Sequence, residues 1–140
     1  MVRRIAAFAF ATAMLAATGG AAQAPFPPPA KVMATWPQFT ADSFYTHYRQ
    51  PEVTRSRSGA ILWKMAQPST SMSKLGVPTL YTQLEFDCAT SRKKILAIAR
   101  FNADGSVKPP PDKDVELNKW FPVMDAADHV LLKVVCAAKG

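Results

Sequence analysis

Residues 79–102 constrain the fold more than any other stretch. Residues 79–88 (TLYTQLEFDC) alternate, with Leu80, Thr82, Leu84, Phe86 and Cys88 pointing one way and Tyr81, Gln83, Glu85 and Asp87 the other. Ala89, Thr90 and Ser91 then turn the chain into a second β-length run, residues 93–102 (KKILAIARFN), which Asp104 and Gly105 end as a turn dipeptide. A chain with two such runs in immediate succession is built around a sheet. Upstream, residues 43–48 form an aromatic strand-like run, broken at Gln50 and Pro51. Residues 53–57 and 60–66 (AILWKMA) read as a hairpin turning at Ser58 and Gly59. Residues 67–78 are a loop by composition, three prolines at 109–111 forbid regular structure, and residues 120–123 make a last short strand.

The end of the chain has a different period. Asp125 suits a helix N-cap, with Asp128 three residues on. Val130, Leu131, Val134, Val135 and Ala138 then recur as one face of a helix. Lys133 and Lys139 lie toward its C-terminal end, where cations complement the dipole. The competing reading is a strand, because VLLKVV is rich in β-branched residues; the helix is the expectation.

Two segments before the sheet stand apart. Arg3 and Arg4, the uncharged run at residues 5–17, and Ala22, Gln23 and Ala24 have the order of an export signal, with cleavage expected after Ala24. A spanning helix needs roughly 20 apolar residues, and Gly19 and Gly20 close this run early. No cysteine lies near the expected cleavage point, so neither a lipid anchor nor a membrane span is expected. Residues 25–35 (PFPPPAKVMAT) read as a Pro-rich leader, a semi-rigid spacer or frayed end. Residues 36–140 are then one domain. The chain of 140 residues carries 17 Lys+Arg against 10 Asp+Glu and is 49% apolar, enough for a core and too rich in aromatics for a disordered segment.

Cys88 and Cys136 are the only cysteines, too few for a Cys-rich zinc site. In a secreted or periplasmic chain they are expected to form one disulfide, worth about 4 kcal/mol by chain entropy for so long a loop. The other reading is a cysteine nucleophile served by His47 or His129, but no nucleophile motif surrounds either cysteine.

With these elements in order, the chain resembles the surface-adhesin protein E family of exported bacterial domains. The resemblance rests on the aromatic strand SFYTHY followed by VTRSRSGAILWKM, the segment LEFDC, the strand RKKILAIARF directly after it, and WFPV leading to a helix that ends VVC. It implies an α+β fold: an antiparallel sheet of five to six strands, a C-terminal helix packed on it, and a Cys88–Cys136 bond joining the two. It further implies adhesion to host matrix proteins, and a dimer. The family's founding adhesin is lipid-anchored and binds through a basic loop before the first cysteine. The equivalent stretch here, residues 69–78 (STSMSKLGVP), holds only Lys74, so no adhesive residue carries over.

The expected function is therefore exported, non-enzymatic binding, of a protein or an acidic surface ligand, with adhesion as one form of it. The alternative is a structural or assembly subunit of the bacterial envelope with no adhesive role. Arg92, Lys93 and Lys94 are the densest basic run and the candidate anion- or partner-binding residues, against a reading as solvated edge charge. Nucleic acid is not an expected partner, and no metal or other cofactor is expected. Residues 102–105 are a turn and not a calcium loop, since that loop's register would put Arg100 and Pro111 at ligand positions. His47 beside Tyr45 and Tyr48 is read as packing or a rim residue rather than an iron ligand, and Asp112, Asp114 and Glu116 as a loop cluster with no paired acid–base geometry. Finally, Leu62, Leu96 and Ile98 sit opposite Ile61, Trp63, Met65 and Ile95, Ala97, Ala99 in a strict period of two. They form a second apolar face that needs a cover, either a homodimer partner, the leader around Val32 to Trp36, or the segment at Trp120 and Phe121.

Overall fold

The computed structural model describes residues 27–108 and 116–137. The expected export signal, the acidic positions Asp112 and Asp114, and Ala138 lie outside these residues. The chain is α+β, with one antiparallel sheet and a C-terminal helix. Among the described residues the sheet has eight strands rather than five to six. Its spine is β1 (Gln38–Ala41), β2 (Tyr45–Arg49), β4 (Gly59–Pro68), β5 (Thr79–Asp87), β6 (Arg92–Phe101) and β7 (Val107–Lys108), side by side in that order. The short β3 (Thr54–Arg55) pairs with β4, and β8 (Trp120–Pro122) with β6. The expected hairpin at Ser58 and Gly59 is present as β3–β4. The expected loop at 67–78 is shorter than its composition suggests: β4 runs to Pro68, and the Ser69 hydroxyl caps a one-turn helix, α2 (Thr70–Lys74), by accepting from the Met72 N–H.

Both faces of the sheet are covered, each by a different helix. On one face Ala60 pairs with Phe86 and Leu62 with Leu84, and α3 (Ala126–Ala137) lays Leu131, Leu132 and Val135 over them. On the other face Met65 pairs with Tyr81, and α1 (Pro29–Thr35) covers them with Val32 and the adjoining Trp36. The leader is thus a folded element and not a spacer. Pro28 and Pro29 explain this: proline at the first helical position carries no orphaned N–H and presets φ for the helix. Val32 is fully buried, Trp36 stacks edge-on against Tyr81 at 6.3 Å, and the Tyr81 hydroxyl donates to the Pro27 carbonyl.

This arrangement corrects the reading of Leu62, Leu96 and Ile98 as one uncovered face. Leu62 is 1% exposed, in the core under α3, and is closed to a dimer partner. Strand β6 does not keep a strict period of two. Gln83 pairs with Ala97 but Leu84 with Ile95, so Leu96 is the extra residue of a bulge. Ile95 and Ile98 therefore lie on the α3 face, while Ala97 and Ala99 lie on the α1 face, where Ala99 packs against the Tyr81 cluster. The leader around Val32 to Trp36 covers the opposite face, that of Met65 and Tyr81, and the cover over Leu62 is α3.

The helix at the C-terminus is rotated from its expected face. Its buried residues are Asp128, Leu131, Leu132 and Val135, whereas Val130 and Val134 are 36% and 37% exposed. Two groups hold its far end. Cys136 is bonded to Cys88, just beyond β5, and Arg55 of β3 donates to the Val135 carbonyl at 2.9 Å. A cation there satisfies a terminal carbonyl and complements the helix dipole. Glycine is required where the β3–β4 turn passes this bond. A Cβ on Gly59 would stand 2.4 Å from the Phe86 carbonyl oxygen and 2.9 Å from the Cys88 sulfur. Gly59→Ala is expected to cost about 1–3 kcal/mol through forced displacement of β5 and the disulfide, read as a lower midpoint in thermal unfolding of the oxidised protein.

Candidate functional site

The α3 face of the sheet is longer than the helix that covers it. Twelve helical residues extend about 18 Å, while the nine- and ten-residue strands beneath extend about 30 Å. The helix starts near the middle of the strands, and the remaining rows of the face stay open. One row runs across four strands as His47, Ala66, Leu80 and Arg100, each paired to the next. The row beside it runs Lys64, Thr82 and Ile98. With Val77 and Pro78 on one side and the first turn of α3 on another, these residues other than the buried Thr82 line a cleft of about 580 Å³. Its floor and walls are mostly aliphatic, and Tyr45, Asp42 and Asp125 complete the rim.

The helix start is pinned to the sheet by charge. Asp128 is 1% exposed, and its carboxylate accepts from Lys64 of β4 and Lys93 of β6. Lys93 also donates to Asp125 at 2.8 Å, and the other oxygen of Asp125 caps the helix by accepting the Asp128 N–H at 2.7 Å. Two carboxylates and two ammonium groups thus neutralise one another under the first turn. Burial works to raise the Asp125 carboxyl, but the bond from Lys93 and the cap hold it well below the usual carboxylate range. Burial works to lower the Lys93 ammonium, yet the charge and hydrogen bonds of Asp128 and Asp125 leave it raised.

His47 lies at the edge of this group. It is 8% exposed among the rings of Phe39 and Tyr45, and burial, followed by the charge of Lys64, pushes its pKa below 6.5. Its Nε2 faces Asp42 at 3.9 Å, while Nδ1 is buried with no hydrogen-bond partner among the described residues. Asp42 is itself held low by the N–H groups of Phe44 and Tyr45.

The basic run reads differently in three dimensions. Lys93 points under α3 and is not part of a surface. Arg92 bonds Thr90 and Asp87, Lys94 faces Glu85 at 3.4 Å, and both cations stand over the Trp120 ring. Each of the three cations has an acidic partner within the fold. The structure brings Lys93 to the cleft's charge group and leaves Arg92 and Lys94 on the far face. His47, read as packing or a rim residue, lines the cleft, and Lys64, not singled out at all, is the residue that sequence reasoning missed; a lone lysine in the apolar run AILWKMA was the available signal.

Among the described residues no helix is long and apolar enough to cross a membrane, and no group of three or more His, Cys, Asp or Glu side chains is placed to hold a metal ion. Comparison with protein-family models, curated protein sequences and solved structures finds no match to this chain.

Two outcomes follow from the charge group. Asp128→Ala, which takes the carboxylate partner from Lys64 and leaves Lys93 with Asp125 alone, is expected to cost about 3–5 kcal/mol in denaturant unfolding. Stability should also fall with pH in two steps. A histidine whose folded pKa lies below its unfolded 6.5 gives its full contribution above 6.5 and loses it as pH falls beneath that value; Asp125 does the same below 3.8. His47→Phe should flatten the first step, measured by denaturation midpoints between about pH 7.5 and about pH 5, and leave the second.

Proposed function

We propose that the chain is an exported, non-enzymatic binding domain of the surface-adhesin protein E type, and that it engages its ligand at the cleft beside the start of α3. The observation that carries this reading is the open part of the α3 face. Both faces of the sheet are otherwise covered by helices, yet the row through Ala66 and Leu80 lies beyond the end of α3 and lines a cleft within the size range of ligand sites. An aliphatic floor with a few convergent polar groups is the usual make-up of such a site. Three strongly exposed apolar side chains border it in the chain: Phe44 precedes Tyr45, Met124 precedes Asp125, and Leu75 lies two residues before Val77. The sheet, terminal helix and Cys88–Cys136 bond support the family reading, as the fold it implies.

Binding of acidic ligands through Arg92, Lys93 and Lys94 has less support, because those cations are matched within the fold. The second reading, an envelope assembly subunit, draws on the same exposed Phe44, Leu75 and Met124, which a neighbouring subunit would bury. Capture of matrix proteins and of envelope extracts by the immobilised, oxidised domain tests the two. Loss of capture in Leu80→Glu, with Lys94→Glu unchanged, is the expected result. The reverse pattern would return binding to the basic run. Display on intact cells marks adhesion, whereas retention in the periplasm within a stable complex marks assembly.

A further inference from the structure

His47 forms part of the cleft wall, and its surroundings make that wall sensitive to acid. The ring is buried between Phe39 of β1 and Tyr45 of its own strand, with centroids 5.9 and 6.0 Å away. Its Nδ1 is closed to water and has no hydrogen-bond partner among the described residues. A neutral imidazole has one bare nitrogen, which can sit there as an unused acceptor. In the imidazolium both nitrogens carry hydrogen, so protonation leaves an N–H and a share of full charge where nothing can solvate them. An unpaired buried charge is far costlier than an unpaired neutral group. The charged neighbours do not resolve the conflict. Lys64, diagonal to His47 on β4, repels an imidazolium, and Asp125 and Asp128 of α3 already accept from Lys93 and Lys64. Arg49, two residues on along β2, is turned to the Gln50 carbonyl, and Arg100 stands three strands away in the same row. Burial, and then Lys64, outweigh the nearby carboxylates, and the ring's pKa lies below 6.5.

One acceptor stands on the solvent side. Asp42, in the turn between β1 and β2, commits Oδ1 to the N–H groups of Phe44 and Tyr45, and its Oδ2 faces His47 Nε2 at 3.9 Å, beyond hydrogen-bonding distance. Its side chain is 57% exposed, and β1 beside it is a four-residue edge strand with an irregular register. We propose that His47 is an acid-sensitive latch: on protonation its ring leaves the place between Phe39 and Tyr45, turns out to Asp42 and water, and the cleft releases an apolar occupant. The release rests on the reading of the cleft as a ligand site, whereas the turning of the ring does not. The movement displaces three lining groups that one hairpin supplies, His47, Tyr45 and Asp42, and it sets a charge beside an aliphatic floor. Where only the neutral form binds, affinity falls about tenfold for each pH unit below the His47 midpoint.

Nuclear magnetic resonance of the oxidised domain between about pH 7.5 and about pH 5 tests the latch. The His47 ring is expected to titrate with a midpoint below 6.5. The Tyr45 ring and the Leu80 and Ile98 methyls of the cleft should follow the same midpoint, while the core methyls of Val32 and Leu131 hold still. His47→Phe should leave the cleft signals flat across the range. Asp42→Asn removes the waiting anion and should move the midpoint to lower pH. Nile red, an uncharged apolar dye, should bind at about pH 7.5 in a manner that Leu80→Glu abolishes, and at least about tenfold more weakly at about pH 5. In His47→Phe the ratio of the two affinities should be near one, whatever their level. A His47 midpoint at or above 6.5 overturns the latch, as do cleft signals that stay still while His47 titrates or that move equally in His47→Phe. Dye that binds equally at both pH values, or at neither, overturns the release. Neither failure touches macromolecular capture by the cleft at neutral pH, which Leu80→Glu reports by itself.

Discussion

A single buried carboxylate organises this molecule. Asp128 lies between a lysine from β4 and a lysine from β6, two strands that flank β5 and do not touch each other. Removing one charge from water is costly, and here three are removed together with a fourth, Asp125, at the margin. The arrangement is tolerable only because every member has an opposite partner at hydrogen-bonding distance. It fixes where α3 begins and which side it presents. The Cys88–Cys136 bond and Arg55 fix where it ends, so the helix is held ionically at one end and covalently at the other.

From that placement comes the open part of the sheet. A helix anchored at Asp128 cannot slide along the strands to cover Ala66 and Leu80, and the chain before it leaves along β8 on the opposite side of β6. On the other face α1 and Trp36 close over Met65 and Tyr81. Burial of that cluster raises the Tyr81 hydroxyl well above its ordinary value, and the phenol keeps its proton to donate to Pro27. The two faces thus have unlike roles, one a closed aromatic core and the other a core with a cleft at its end.

Much of this was legible in the residues. The alternation at 79–88, the hairpin at Gly59 and the switch to a helical period after Asp125 all appear where the patterns put them, because local burial pattern and fold agree there. Three features were not legible, each for a physical reason. The bulge at Leu96 moves Ile95 and Ala97 to opposite faces, and alternation counted along one strand has no means of seeing an unpaired residue. Pro28 and Pro29 read as breakers although they open α1, since proline at a helix start and proline in a spacer look alike without the partner that buries Val32. The rotated face of α3 follows from a buried aspartate: a search for apolar stripes passes over Asp128 and selects Val130 and Val134, which the lysines leave facing solvent. The charge group was hidden for the same reason, as its members come from 64, 93, 125 and 128.

The bridging of β4 and β6 through Asp128 makes the last helix a check on how the strands are aligned. Side chains alternate between faces, so a slip of one residue in either strand would carry its lysine through the sheet to the α1 side. A helix laid over such a misaligned sheet would bury Asp128 with half its partners or none, and would meet Cys88 from the wrong position. Only the native alignment offers both ammonium groups on one face at once. Residues 126–137, the last helix in the described sequence, therefore act as a proofreader for pairings made tens of residues earlier, and the covalent bond at Cys136 seals a register that the lysines have already verified.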